Sequence, residues 1–417
     1  MAATPRAEVS IAPSTPMREA RDIAPAHAYH AALAYLRAFL VVLVVAHHSV
    51  IAYIDGPPTF PTSLLSNPPW WRAFPVIDPR AHWTGFTVFT GFNDDFFMSL
   101  MFFVSGLFVW SSLRRKGDAT FLRDRLKRLG IPFLFAAAII APLAYYPSYL
   151  LTGAHGIGGY LHDWLSFGDW PTGPAWFISL LLAFDLAAGA LYALAPNFGE
   201  VLGRRAANAR EHPVRFFLLL ASASLAAFIP MTAMFGPVQW TSVGPFQFQT
   251  ARLFHYAVYF SAGIGVGAYG IERGLLAPDG VLAKHWGRWT AWSLTVFFLS
   301  VVFVVIVFSK PGLISPNALN LIGGAIYVLV CASLSFAFLA IFVRFAQRRS
   351  ALWDSLSGNE YGIYLIHYAF VSWVQFALLP TAMPAIAKGP IAFGCALALS
   401  WSTSAALRRI PAVARIV

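Results

Sequence analysis

Charge is what this sequence has least of. Only 11 % of its 417 residues are Asp, Glu, Lys or Arg, against about 25 % in soluble domains. Meanwhile 58 % are hydrophobic and 16 % aromatic. A chain this apolar excludes the soluble globular class and implies an all-α, polytopic membrane protein. Cysteine is scarce too: Cys331 and Cys395 both fall in apolar stretches, which argues against a disulfide framework and against a metal site. The first 28 residues contain no apolar core of the signal-peptide kind. They are polar and rich in Pro and Ala, so residues 1–30 are expected to form a disordered tail. The second half does not repeat the first, which counts against a repeat-built transporter.

What is abundant is the apolar run of about 20 residues that a helix needs to cross a bilayer. Ten such runs are read, at 31–54, 93–112, 129–151, 174–195, 213–235, 252–272, 288–309, 320–343, 361–380 and 385–407. Pro132 and Pro142 predict a kink in the third, and Lys388-Gly389-Pro390 interrupts the tenth. The net charge of +11 would suggest nucleic acid in a soluble protein, but its distribution gives a better account and no nucleic-acid partner is expected. Arg6, Arg18 and Arg21 precede the first run; Arg114, Arg115, Lys116, Arg123, Arg125, Lys127 and Arg128 lie between the second and third. Every second connection after that is again basic, as is the end at Arg408, Arg409 and Arg415, whereas the alternate connections hold only Arg72, Arg80, Lys310 and Lys388. This alternation is what the positive-inside rule produces for ten spans with both termini cytoplasmic. The expected organisation is a tail at 1–30, a membrane domain at 31–407 and a short cytoplasmic tail at 408–417.

The first run, AALAYLRAFLVVLVVAHHSVIAYI, carries Arg37, His47 and His48. A charge at the centre of a spanning helix costs roughly 2.5–3.5 kcal/mol, so such residues face the bundle interior and serve a function. Arg37 and His48 are three turns plus about 20° apart and share a face, about 16 Å from one another along the axis. His47 points elsewhere. The second run opens with Asn93-Asp94-Asp95 at the depth of His48. Asp94 or Asp95 could orient an imidazole, or the trio could simply cap the helix. The outer connections 55–92 and 152–173 are rich in Trp, Pro and Gly; their aromatics suit an interfacial belt or a cap over a site that stacks on sugar faces.

Between the second and third runs, Leu122, Leu126, Leu129 and Phe133 recur at helical spacing among Arg123, Arg125, Lys127 and Arg128. Anionic lipid accounts for such an amphipathic helix. So does a cytoplasmic donor whose phosphates are held by Arg125 and Arg128, an Arg-x-x-Arg pair on one face. Asp185, mid-span in the fourth run, would be costly unpaired, and Arg37 is one conceivable partner. Arg252 and His255 enter the sixth run from outside and could meet an anionic or hydroxylated acceptor, or snorkel. Gly263 and Gly267 form a small packing face. His367 is placed about 9 Å from the inner end of its helix, where it reads as a hydrogen-bonded packing residue.

The segments LRAFLVVLVVAHHS, FFMSLMFFVSGLFVW, RDRLKRLGIPF, GPAWFISLLL and SGNEYGIYLIHY, in this order across 31–407, resemble the acyltransferase 3 family of integral membrane O-acyltransferases. The resemblance implies transfer of an acetyl or succinyl group from cytoplasmic acyl-CoA to a hydroxyl of a glycan, lipid-linked saccharide or other acceptor across a bacterial inner membrane. Acyl-CoA would be a donor substrate, and no permanently bound cofactor or metal is implied. Carried onto this chain, His48 and Arg37 are the catalytic pair, His48 as base or transient acyl carrier. Arg125, Arg128 and Arg123 would hold acyl-CoA; Arg252, His255, Trp176, Tyr361 and His367 are candidate acceptor-binding or pore-lining residues. The rival class is a transporter or flippase for an anionic or lipid-linked solute that uses Arg37, Asp185 and Arg252 as its pathway.

The topology is checked with reporter fusions. Fusions after Lys116, Arg210 and Arg349 are expected to report cytoplasm, and fusions after Gly156 and Pro311 the opposite side; one reversal would break the ten-span reading.

Overall fold

In a bilayer each backbone N–H and C=O must find a partner within its own segment, so apolar runs of this length become helices. The computed structural model describes residues 19–416, with side chains from Ala31 onward. The long helices are α1 (Glu19–Val50), α2 (Thr84–Gly106), α3 (Val109–Lys116), α4 (Asp118–Leu151), α5 (Trp176–Leu194) and α6 (Pro213–Phe235). After a hairpin of β1 (Trp240–Val243) and β2 (Phe246–Gln249) come α7 (Leu253–Tyr269), α8 (Trp286–Ser309), α9 (Pro316–Phe345), α10 (Ala351–Leu378) and α11 (Ala385–Leu407). Eight helical stretches among the described residues are long and apolar enough to cross a membrane, which makes this a multi-pass membrane protein. The sixth and ninth expected spans are helices as well, α7 and α10, but outside that set of eight. On α8, Trp292, Leu294, Phe298 and Leu299 lie exposed on an outward apolar face suited to lipid.

Several boundaries differ from expectation. Helix α1 begins at Glu19, so residues 19–30 extend it instead of forming a tail; the rest of the expected tail lies outside the described residues. Helix α2 begins at Thr84, nine residues before Asn93, because TGFTVFTGF continues the apolar helical pattern. Asn93, Asp94 and Asp95 are therefore interior positions, and the capping account of them fails. Helix α10 starts at Ala351, ten residues early, so His367 lies about 24 Å along it by rise per residue, toward the opposite end from the one expected. The expected kink in α4 takes the form of two wide turns, Leu126–Gly130 and Ala136–Ile140, flanking the short stretch that holds Pro132. A proline lacks the N–H of the regular ladder, and a wide turn lets the helix resume past it.

Helix α1 is the centre of the bundle and packs on α2, α9, α10 and α11. Helices α2 and α7 approach at their glycines. A Cβ on Gly263 would strike the Phe103 carbonyl oxygen and one on Gly267 that of Leu107, as the small-residue face predicts. The connection from Ile54 to Trp83 folds back over one end. Its Trp71 is buried against Tyr145 and Phe167, and Arg72 holds Asp169 of the next connection through two bonds of 2.6 and 2.8 Å. With Tyr149, Tyr160 and Trp164, these aromatics form a packed lid and not a belt facing lipid.

The lid is also tied to α11. Lys388 Nζ donates to Asp78 Oδ2 at 2.6 Å, with both side chains sealed from solvent. Removing one partner strands a buried charge, at a cost of about 3–5 kcal/mol. Lys388→Ala is therefore expected to lower the melting temperature in detergent sharply, and a paired Lys388→Met, Asp78→Leu replacement to recover much of it. Equal damage from the single and paired variants would contradict this account.

Candidate functional site

Two helices running in the same direction build the site. On α1, Arg37, Val41, Val44 and His48 repeat at helical spacing; on α10, Glu360, Tyr364 and His367 do the same. Arg37 donates to Glu360 at one level, and His48 meets His367 at the other, Nδ1 to Nε2, at 3.2 Å.

The Arg37 level opens into a cavity of about 500 Å³, lined by Arg115, Lys116, Arg125, Arg128, Asp185 and Tyr361 among others. Arg37 is 46 % exposed although it sits inside the bundle, because it faces this space. Arg125 Nε stands 3.2 Å from Asp185 Oδ2, and its guanidinium lies over the Phe121 ring. Lys116 is held by Asp124 at 2.6 Å. Arg115 and Arg128 have no carboxylate partner among the described residues. The wall thus presents two uncommitted cations, which suits an anionic ligand. The volume is that of an ordinary small-molecule site.

The His48 level opens into a second cavity of about 140 Å³, lined by Asp94, Trp176, Trp240, Gln249, Arg252 and Tyr256, with Phe97 and Met98. Trp176 stacks on Tyr256 and meets the Trp240 ring edge-on at 5.5 Å, so the hairpin supplies one wall. Tyr364 borders both cavities, and its hydroxyl donates to the Pro174 carbonyl. One side chain is therefore shared by the wall of the cationic chamber and that of the histidine chamber.

The family model described as an acyltransferase domain, that of acyltransferase 3, matches residues 30–405. The chain belongs to this family. No curated protein and no solved structure matched it significantly.

Within this acyltransferase, the structure redistributes the residues singled out from sequence. Arg37 and His48 do share a face and open into different chambers. His47 does point elsewhere, its ring stacked on Phe97. Asp94 does not orient His48: its carboxylate takes a 2.6 Å bond from Arg252. Asp95, one residue on and turned by about 100°, lines neither cavity. Asp185 pairs with Arg125, not with Arg37, whose acid is Glu360. Arg125 and Arg128 line the large cavity, but Arg123 does not. It projects from the other side of α4, and Arg115 of α3 takes its place.

That exchange depends on the turn at Gly117 between α3 and α4, where φ of 76° favours glycine. Nothing in a run of seven cations says which of them the turn will aim inward. Arg252 and Trp176 line the small cavity, whereas His255 is wholly buried behind it, 3.1 Å from Ser99 Oγ, and touches neither space. Tyr361 lines the large cavity and donates to the Arg128 carbonyl at 2.8 Å. Glu360, Arg115 and Trp240 escaped the sequence reading. Glu360 carried a signal, an acid inside an apolar helix; Trp240 carried none.

Proposed function

We propose that this membrane protein is an O-acyltransferase. It takes an acetyl or succinyl group from acyl-CoA in the Arg37 chamber and places it on a hydroxyl of a glycan, or another extracytoplasmic acceptor, in the His48 chamber. The observation that carries this reading is the pair of chambers on one face of α1, one cationic and one bearing an imidazole, with Tyr364 as their common wall. The rival pathway of Arg37, Asp185 and Arg252 loses support from the same arrangement. Arg37 and Asp185 belong to one chamber and Arg252 to the other, and each is held by its own counter-charge.

The phosphates of the donor are anions of the kind that Arg115, Arg125 and Arg128 hold well. The larger chamber takes the acyl-bearing arm, which reaches past Tyr364. Arg37, on the same wall, adds a fixed cation for the anionic part of the donor, while the reacting carbon lies at the His48 end. At the other end, His48 Nε2 takes the proton of the acceptor hydroxyl as its oxygen attacks the thioester carbon. The new C–O bond forms, the C–S bond breaks, and the proton passes from His48 to the departing thiolate. A chamber of about 140 Å³ admits the edge of a sugar ring, not a whole oligosaccharide, so Trp176 and Trp240 would meet the residue that carries the reacting hydroxyl. In this reading both termini lie in the cytoplasm, which the alternation of basic connections supports, and the His48 chamber faces the far side of a bacterial cytoplasmic membrane.

The test is acyl transfer to a panel of purified glycans, with each variant corrected for its abundance. His48→Ala is expected to lower turnover about 10²- to 10⁴-fold, the usual worth of a general base, and His47→Ala to lower it far less. Full activity in His48→Ala, or equal loss in both variants at equal abundance, would overturn the assignment.

A further inference from the structure

The pair of histidines at the upper rung has a definite hydrogen-bond direction. His367 Nδ1 lies 2.7 Å from the Tyr364 carbonyl oxygen, and His48 Nδ1 lies 2.9 Å from that of Val44. A carbonyl only accepts, so in the neutral pair each Nδ1 carries its ring's proton and each Nε2 is a lone pair. The 3.2 Å contact between His48 Nδ1 and His367 Nε2 can then run one way only. The His48 N–H is shared between the Val44 carbonyl and the His367 lone pair. This leaves His48 Nε2 as the free base. It has no hydrogen-bond partner among the described residues and is not sealed from the small cavity that His48 lines.

We infer that His367 is a positioning residue for the acyl transfer: its Nε2 lone pair holds His48 by Nδ1–H, aims His48 Nε2 at the acceptor hydroxyl and shares the charge formed when that proton arrives. This rests on the reading of His48 as base. In a triad a carboxylate holds the imidazole in this way; here the holder is neutral. The other polar groups around the pair do not replace it. Asp94 is bound to Arg252, the Tyr364 hydroxyl donates to Pro174, His47 stacks on Phe97, and Tyr368 presents its ring to His48 at 5.1 Å. His367 itself is fully buried and lines neither chamber, so it acts through His48 and not on substrate.

The experiment uses the full chain in lipid bilayers, labelled with ¹⁵N at histidine, with His48→Gln and His367→Gln samples to assign the two rings. Both rings are expected in the Nδ1–H form, with a through-hydrogen-bond ¹⁵N–¹⁵N coupling between His48 Nδ1 and His367 Nε2. A protonated His367 Nε2 or a bare His48 Nδ1 in the neutral protein would overturn the inference whatever the activity. In acyl transfer, His367→Leu is expected to lower kcat about 10- to 100-fold with KM for acyl-CoA unchanged. His367→Gln, which keeps an acceptor oxygen near the Nε2 position, is expected to restore most of it. At equal abundance, unchanged kcat in His367→Leu, or a Gln variant no better than Leu, would also overturn it. If the coupling is present but no acyl transfer occurs with any acceptor, the pairing stands and the acyltransferase reading falls. Should His367→Leu fold poorly, the ¹⁵N spectrum of the unsubstituted protein decides alone.

Discussion

The parallel pairing of α1 with α10 at two polar rungs, Arg37 with Glu360 and His48 with His367, is the constraint on which the other features hang. A cation and an imidazole inside a membrane bundle are tolerated only where partners and space are provided. Here each rung has a partner from α10 and opens into a chamber that α10 helps to line. Between the rungs, Val41 and Val44 of α1 and Tyr364 of α10 border the chambers. The parallel direction is fixed by the order of the rungs, since residue number rises from Arg37 to His48 on α1 as it does from Glu360 to His367 on α10.

The separation of the rungs, about 16 Å along α1, would be a difficulty if Arg37 and His48 had to touch one reacting carbon. Two chambers remove it. In the proposed function the donor's charged end would sit with Arg115, Arg125 and Arg128 in one chamber, its acyl end with His48 in the other, and the arm would cross at Tyr364, which lines both. The same arrangement explains why the lid over the His48 end is packed and stapled by Asp78 with Lys388 and by Arg72 with Asp169. Tyr145 of that lid rests against Tyr368, which in turn meets His48, so the packing of the lid bears directly on His48.

Much of this was legible in the sequence where a pattern has a fixed period. The helices, the alternating charge and the shared face of Arg37 and His48 all follow from rise and turn per residue, and the glycines of α7 from their four-residue spacing. What was not legible depended on where helices begin and on which partner arrives from elsewhere. The Thr- and Gly-rich start after Trp83 and the polar stretch after Ala351 hid nine and ten residues of helix. That error kept a capping role open for Asp94 and put His367 at the wrong depth. Partners separated by hundreds of residues, such as Arg37 and Glu360 or Arg252 and Asp94, leave no local trace. Composition identifies such groups as needing a partner without saying which one.

The central claim is that the acyl group crosses between chambers that face opposite sides of the membrane. It is tested most directly with proteoliposomes of uniform orientation, with labelled acyl-CoA confined to the side of the basic connections and a glycan acceptor confined to the other. The account predicts label on the acceptor with no mixing of compartments, and loss of that transfer when donor and acceptor exchange sides. Transfer only when both substrates share one compartment would contradict it.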